Sequence, residues 1–176
     1  MTAYLKKGFT LIELLIVIAI LGVLAVVILV AINPQEQLAR TRDAGRTSSV
    51  TQLGHALQAF GASHEGDYVT ESNTWVTDLV TAGEIAVVPG NLAYNITGTS
   101  ACNTQGVEGD WCYDSDGGTP PNNGIVFARL ESGSNDSRCA AAENAFVVFD
   151  TVSGRGGIVC EGTEPTYAAG GQNFIN

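Results

Sequence analysis

KKGFTLIELLIVIAILGVLAVVILVAINP, residues 6–34, decides how the rest of the chain is read. Two lysines and a glycine lead straight into residues 9–32, whose only polar side chains are Thr10 and Glu13. As an α-helix at about 1.5 Å per residue, that run is roughly 36 Å long, enough to cross a hydrocarbon layer of roughly 30 Å. It exceeds the roughly 7 to 15 apolar residues of a cleaved secretory h-region, and no A-x-A site follows it. The segment is therefore expected to stay attached and to span a membrane. Lys6 and Lys7 flank one end. Arg40, Arg42 and Arg46, partly offset by Glu36 and Asp43, follow the other, so charge counting leaves the orientation open.

An ionised carboxylate inside a bilayer is costly, so Glu13 needs a reason. One reading has it snorkel to the headgroups from one turn inside the helix. The other starts at Gly8. A cut after Gly8 creates an α-amine on Phe9, which lies four residues from Glu13 on the same helix face. An ammonium and a carboxylate at that spacing, or on neighbouring helices, neutralise each other in low dielectric. Glu13 is then a docking group, satisfied when another subunit's N-terminus arrives.

KKGFTLIELLIVIAILGVLA resembles the type III signal sequence of type IV pilins and type II secretion pseudopilins, closely over about 5–32 and loosely beyond. The resemblance implies that a prepilin peptidase/methyltransferase cuts between Gly8 and Phe9 and methylates the Phe9 amine. It implies that Glu13 is the acid that guides assembly, and that the fold is the pilin-like α+β one. The expected organisation is a leader at 1–8, a transmembrane and assembly helix at 9–32, an amphipathic continuation at 33–62, and a head at 63–176. The function it implies is a structural subunit of a type IV pilus-like filament, built as a homo-oligomer with an assembly platform and motor. The alternative is a pseudopilin of a type II secretion or DNA-uptake machine. The precursor would sit in the cytoplasmic membrane before reaching the outside.

Within the apolar run Gly22 is a weak point, or a place where helices pack closely. Pro34 removes a helical hydrogen bond and marks a kink or a boundary between two helices. Beyond it, Val50, Leu53, Leu57 and Phe60 recur at spacings of three, four and three, one stripe of an amphipathic helix that should pack on a sheet. Arg40, Arg42, Asp43 and Arg46 form a charged cluster, either a solvated helix face or a source of salt bridges to neighbouring subunits. His55 and His64 have no partner pattern.

The chain carries a formal charge of −10. From residue 9 onward there are six arginines, no lysine and 18 acids, no footprint for general nucleic-acid binding. Cys102, Cys112, Cys139 and Cys160 form no CxxC pair, which argues against zinc. An even count behind an export-type N-terminus predicts two disulfides in an oxidising compartment, placing the C-terminal half outside and the N-terminus in the cytoplasm. Spacing does not separate the three possible pairings; the sequence-local one, Cys102–Cys112 with Cys139–Cys160, is preferred.

A short helix capped near Asn73 is expected, with Trp75, Val76, Leu79 and Val80 facing inward and Gly83 closing it. IVFARLE (125–131), AFVVFDTV (145–152) and IVC (158–160) read as strands, with SGRGG as a tight turn before the last. Helix first and antiparallel meander second makes an α+β layer. The residues from Glu161 look loop-like. DSDGG at 114–118 offers Asp114 and Asp116 as a weak calcium candidate, but its spacing fails an EF-hand loop. Asn95-Ile96-Thr97 and Asn135-Asp136-Ser137 match glycosylation sequons. There is no Gly-rich phosphate loop, G-x-S-x-G or H-E-x-x-H, so neither an enzyme nor a cofactor is expected.

Overall fold

A computed structural model gives the arrangement of residues 8–95, 102 and 106–175. Lys6 and Lys7 of the leader, and Ile96 and Thr97 of the first sequon, lie outside the described residues. The chain divides into two compact units, one ending at Gln37 and the other starting at Leu38.

The first unit is built on α1 (Leu11–Ile32), 22 residues of which none is buried. Its apolar side chains cover the whole circumference, the pattern of a helix surrounded by an apolar medium. It is long and apolar enough to cross a membrane. α1 runs through Gly22 without interruption and stops at Asn33, whose backbone is left-handed at φ 45°. Asparagine is one of few side-chain-bearing residues that visit this region readily, and a residue before proline is steered away from the right-handed helix. Pro34 then opens α2 (Pro34–Ser63) in the first turn, where its missing N–H costs nothing. The Asn33 Oδ1 accepts from the Glu36 N–H at 3.5 Å. Of the two readings of Pro34, the structure takes the helix boundary.

The second unit places α2 from Leu38 onward, α3 (Trp75–Ala82) and a five-stranded sheet around one core. The strands are β1 (Gly106–Glu108), β2 (Trp111–Ser115), β3 (Gly124–Arg129), β4 (Asn144–Asp150) and β5 (Arg155–Glu161), with the short α4 (Gly133–Asp136) between β3 and β4. They pair antiparallel in chain order, so the sheet is a meander. Val50, Leu53 and Leu57 are fully buried and Phe60 packs partly buried on the same core, as their spacing predicts. They meet the sheet face that carries Tyr113, Val126, Ala128, Val147 and Phe149. Gly54 is what lets α2 come so close: a Cβ there would run into the Phe149 ring.

Side chains alternate in and out along a strand, so a strand covered on one side reads as alternating. Here both faces are covered, which is why β3 and β4 read as continuous apolar runs. Cys112, Ile125, Phe127, Phe146, Val148 and Val159 form a second cluster on the outer face, closed by Cys102, Tyr94, Val107 and Phe174. The C-terminal segment thus serves as a strap. The Tyr167 N–H donates to Asp114, the Phe174 ring lies against Gly157, and the Ile175 N–H donates to the Ile158 carbonyl at 2.8 Å. The residues after β5 are irregular, as expected, but tied down.

The strand boundaries shift from their expected positions. Arg155, Gly156 and Gly157 pair with Asp150, Phe149 and Val148, so the turn is 151–154 and most of SGRGG belongs to β5. Residues 130–131 and 151–152 fall outside β3 and β4. The cap of α3 also differs. Thr74 takes the N-cap position without a side-chain bond, and Asn73 stays exposed. Glu108 on β1 instead accepts from the N–H groups of Val76 at 2.6 Å and Thr77 at 2.9 Å. Trp75, Val76 and Leu79 are buried, Val80 is half-buried, and Gly83 closes the helix at φ 85°. Cys102 bonds Cys112 and Cys139 bonds Cys160, with Cα atoms 6.0 and 5.4 Å apart.

Candidate functional site

The candidate site is the start of α1. Gly8 and Phe9 precede the helix, and Phe9 is 88% exposed. A side chain at Gly8 would meet nothing within 4 Å. The described fold therefore places no steric demand for glycine there. Thr10 is the N-cap, extended at φ −83° and ψ 153°. Its hydroxyl accepts from the Glu13 N–H at 3.3 Å, while the Glu13 Oε2 accepts from the Thr10 N–H and hydroxyl, each at 2.8 Å. This reciprocal pair is a capping box. It satisfies two of the N–H groups that the first turn of a helix leaves without partners. The acid also sits at the positive end of the helix dipole. Glu13 therefore holds a local role that the sequence reading did not weigh, although T-x-x-E before an apolar run is its signature.

Further along, Gly22 lies in a shallow apolar notch with Ile18, Ala19, Val23, Val26 and Val27. No Cβ at Gly22 would meet another atom within 4 Å. Thr10 and Glu13 are brought together by hydrogen bonds, with Gly8 and Phe9 directly ahead of them; Gly22 and Pro34 lie further along the chain.

Two members of the charged cluster of α2, Asp43 and Arg46, are neither solvated nor available to neighbours. Asp43 and Arg46 are 3% and 0% exposed. Arg46 donates to Asp43 at 3.0 Å and lies 3.4 Å from Glu131, which also takes a hydrogen bond from Arg42. Glu131 is 88 residues from Asp43 in the chain, so no local pattern could have announced the partnership. Arg40 remains exposed.

The remaining candidates have structural roles. Asp114 accepts from the Tyr167 N–H and so holds the C-terminal segment, while Asp116 accepts from Gly118 at 3.0 Å and Asn122 at 3.1 Å and holds its own loop. No group of three or more potential metal ligands occurs among the described residues. Asn135 of the second sequon donates its amide to buried Asp43 at 2.9 Å. His55 stays exposed and meets the edge of Phe149, and His64 stacks on Phe60.

Comparison with known proteins speaks to the same segment. Residues 5–29 match the prokaryotic N-terminal methylation motif. The match takes in most of α1. It is also 35% identical over 109 residues to the fimbrial protein EcpC of Eikenella corrodens, a match covering 61% of this chain and 63% of that protein. Motif and relative together support the type IV pilin family. No solved structure matches the chain.

Proposed function

We propose that the chain is a structural subunit of a type IV pilus-like extracellular filament, cut between Gly8 and Phe9, N-methylated on Phe9, and polymerised through α1. The observation that carries this reading is a 22-residue apolar helix with no buried residue, led by a methylation motif and bearing one carboxylate in its first turn. Such a helix needs apolar surroundings. The bilayer supplies them first, with the N-terminus on the cytoplasmic side and the disulfide-bonded head outside. A bundle of identical helices supplies them afterwards. Moving from lipid to bundle gains little hydrophobic free energy, so packing and charge pairing give the cohesion, and extraction needs an assembly platform and a motor. Glu13 sets the axial register by meeting a neighbour's Phe9 amine. The capping box supports this by presenting the carboxylate at the helix start.

Mass spectrometry of the N-terminus and electron microscopy of sheared surface material test the proposal together. The expected result is a chain that begins at methylated Phe9 and is recovered in fibres. A chain still beginning at Met1, with no polymer, overturns the reading. A cut chain without fibres, whose loss stops secretion or DNA uptake, transfers it to the pseudopilin alternative. Glu13→Leu should be processed yet leave fibres undetectable. Thr10→Val removes the cap partner but keeps the acid, and it should retain fibres. If both variants lose them equally, capping rather than docking is the role of Glu13.

A further inference from the structure

Arg42, Asp43, Arg46 and Glu131 form one charge network in the second unit. Asp43 Oδ1 accepts from Arg46 and from the Glu131 N–H at 2.9 Å; its Oδ2 accepts from the Ser132 N–H and the Asn135 amide, both at 2.9 Å. Glu131 takes Arg42 and Arg46 on one oxygen and the Asn95 N–H on the other at 3.0 Å. Arg46 spends its second terminal nitrogen on the carbonyls of Leu92 at 2.9 Å and Ala93 at 3.4 Å, and its guanidinium lies 3.9 Å from the Tyr94 ring centroid. Two cations and two anions balance, and three separate stretches of chain meet: α2, residues 92–95 and residues 131–135.

The stretches are not held alike. β3 and β4 are locked by a backbone ladder whose register runs from Ile125↔Asp150 to Arg129↔Phe146. Residues 92–95 belong to no strand. Four of their backbone groups are held by side-chain charges, Arg46 on two carbonyls, Glu131 on the Asn95 N–H and Asp110 on the Leu92 N–H, and the Tyr94 hydroxyl donates to the Arg129 carbonyl. A ladder of peptide groups does not titrate, but a carboxylate does. We infer that Arg46, Asp43 and Glu131 form an acid-releasable clasp, which makes residues 92–95 a separately opening segment of the head.

The surrounding charges set the direction. Burial opposes the charge on Glu131, but the Asn95 N–H and the two guanidinia outweigh it and hold the carboxyl below its usual range. A group whose value is lowered on folding contributes stability above its unfolded value, and loses it as pH falls through the folded one. Asp110, which accepts from the Leu92 N–H, is shifted the other way by burial. It takes up a proton earlier on acidification, and this relieves a cost of burial instead of adding one. Burial pushes the Tyr94 phenol up to about 12, so it stays neutral throughout. Arg129 is turned to Asn144, and Asp136 on α4 to the Ala145 N–H, both away from the clasp. Glu131 is therefore the group whose protonation opens it.

Hydrogen–deuterium exchange on the full chain in detergent tests this. In Glu131→Gln, which mimics the protonated acid, amides of residues 92–95 should exchange about ten-fold faster at neutral pH, while amides of β3 and β4 change less than about two-fold. Wild type should show the same local pattern between about pH 7 and about pH 3 once intrinsic exchange rates are divided out. Unchanged protection at 92–95, or a rise in step with the sheet, overturns the clasp. If Glu131→Gln does not fold, the wild-type pH series decides by the same two criteria. Neither result depends on filament formation, so the clasp and the proposed function stand or fall separately.

Discussion

Gly22 in α1 and Gly54 in α2 are both mid-helix glycines in opposite surroundings. A Cβ at Gly22 would meet nothing within 4 Å, whereas one at Gly54 would run into the ring of Phe149. The two helices repeat the contrast along their length. α1 buries none of its apolar residues, while α2 buries Val50, Leu53 and Leu57 and even Asp43 and Arg46. α2 is a sequence fitted to neighbours that the same chain supplies. α1 is a sequence fitted to apolar surroundings. Substitutions that measure head stability should therefore register in α2 and leave no trace in α1.

The sharpest break is Arg46→Leu. It leaves Asp43 and Glu131 buried without their shared cation and should cost about 3 to 5 kcal/mol, read from thermal or denaturant unfolding of the head. Next comes Gly54→Ala, where overpacking against Phe149 should cost about 2 to 3 kcal/mol despite the better helix propensity of alanine. Glu108→Ala uncaps α3 and should cost about 1 kcal/mol. Smallest is Gly22→Ala, expected to leave the unfolding of the head unchanged within about 0.5 kcal/mol. A measurable loss there would mean that α1 supports the head after all, and the contrast would fail.

What could be read in advance follows the range of the interactions. α1 is legible because its signal is an unbroken run of one chemistry. The stripe at Val50, Leu53 and Leu57 is legible because a helix repeats every 3.6 residues whatever it packs against. β3 and β4 were readable as apolar runs, but their ends were not, since the 151–154 turn and the pairing of Gly156 with Phe149 depend on register. The short β1 and β2, GVE and WCYDS, carry no period long enough to distinguish them from loop. Glu108 caps α3 from 31 to 32 residues away, so a local search settled on Asn73. The cluster at Asp43 and Arg46 misled for the same reason: a helix face full of charge reads as wet until Glu131 arrives from the far end of β3. At the start of α1 the cue is local, since Thr10-x-x-Glu13 encodes a cap as well as an acid.

The strap across the outer sheet face bears on how freely this chain can drift in evolution. With α2 on one side and Tyr94, Cys102 and Phe174 on the other, β3 and β4 present almost no side chain to the exterior. Room for new side chains is then concentrated in the connections, such as the exposed stretches at 86–88, 116–120 and 152–154. The surface such a molecule shows its surroundings is written in its turns, and its strands are left to record descent.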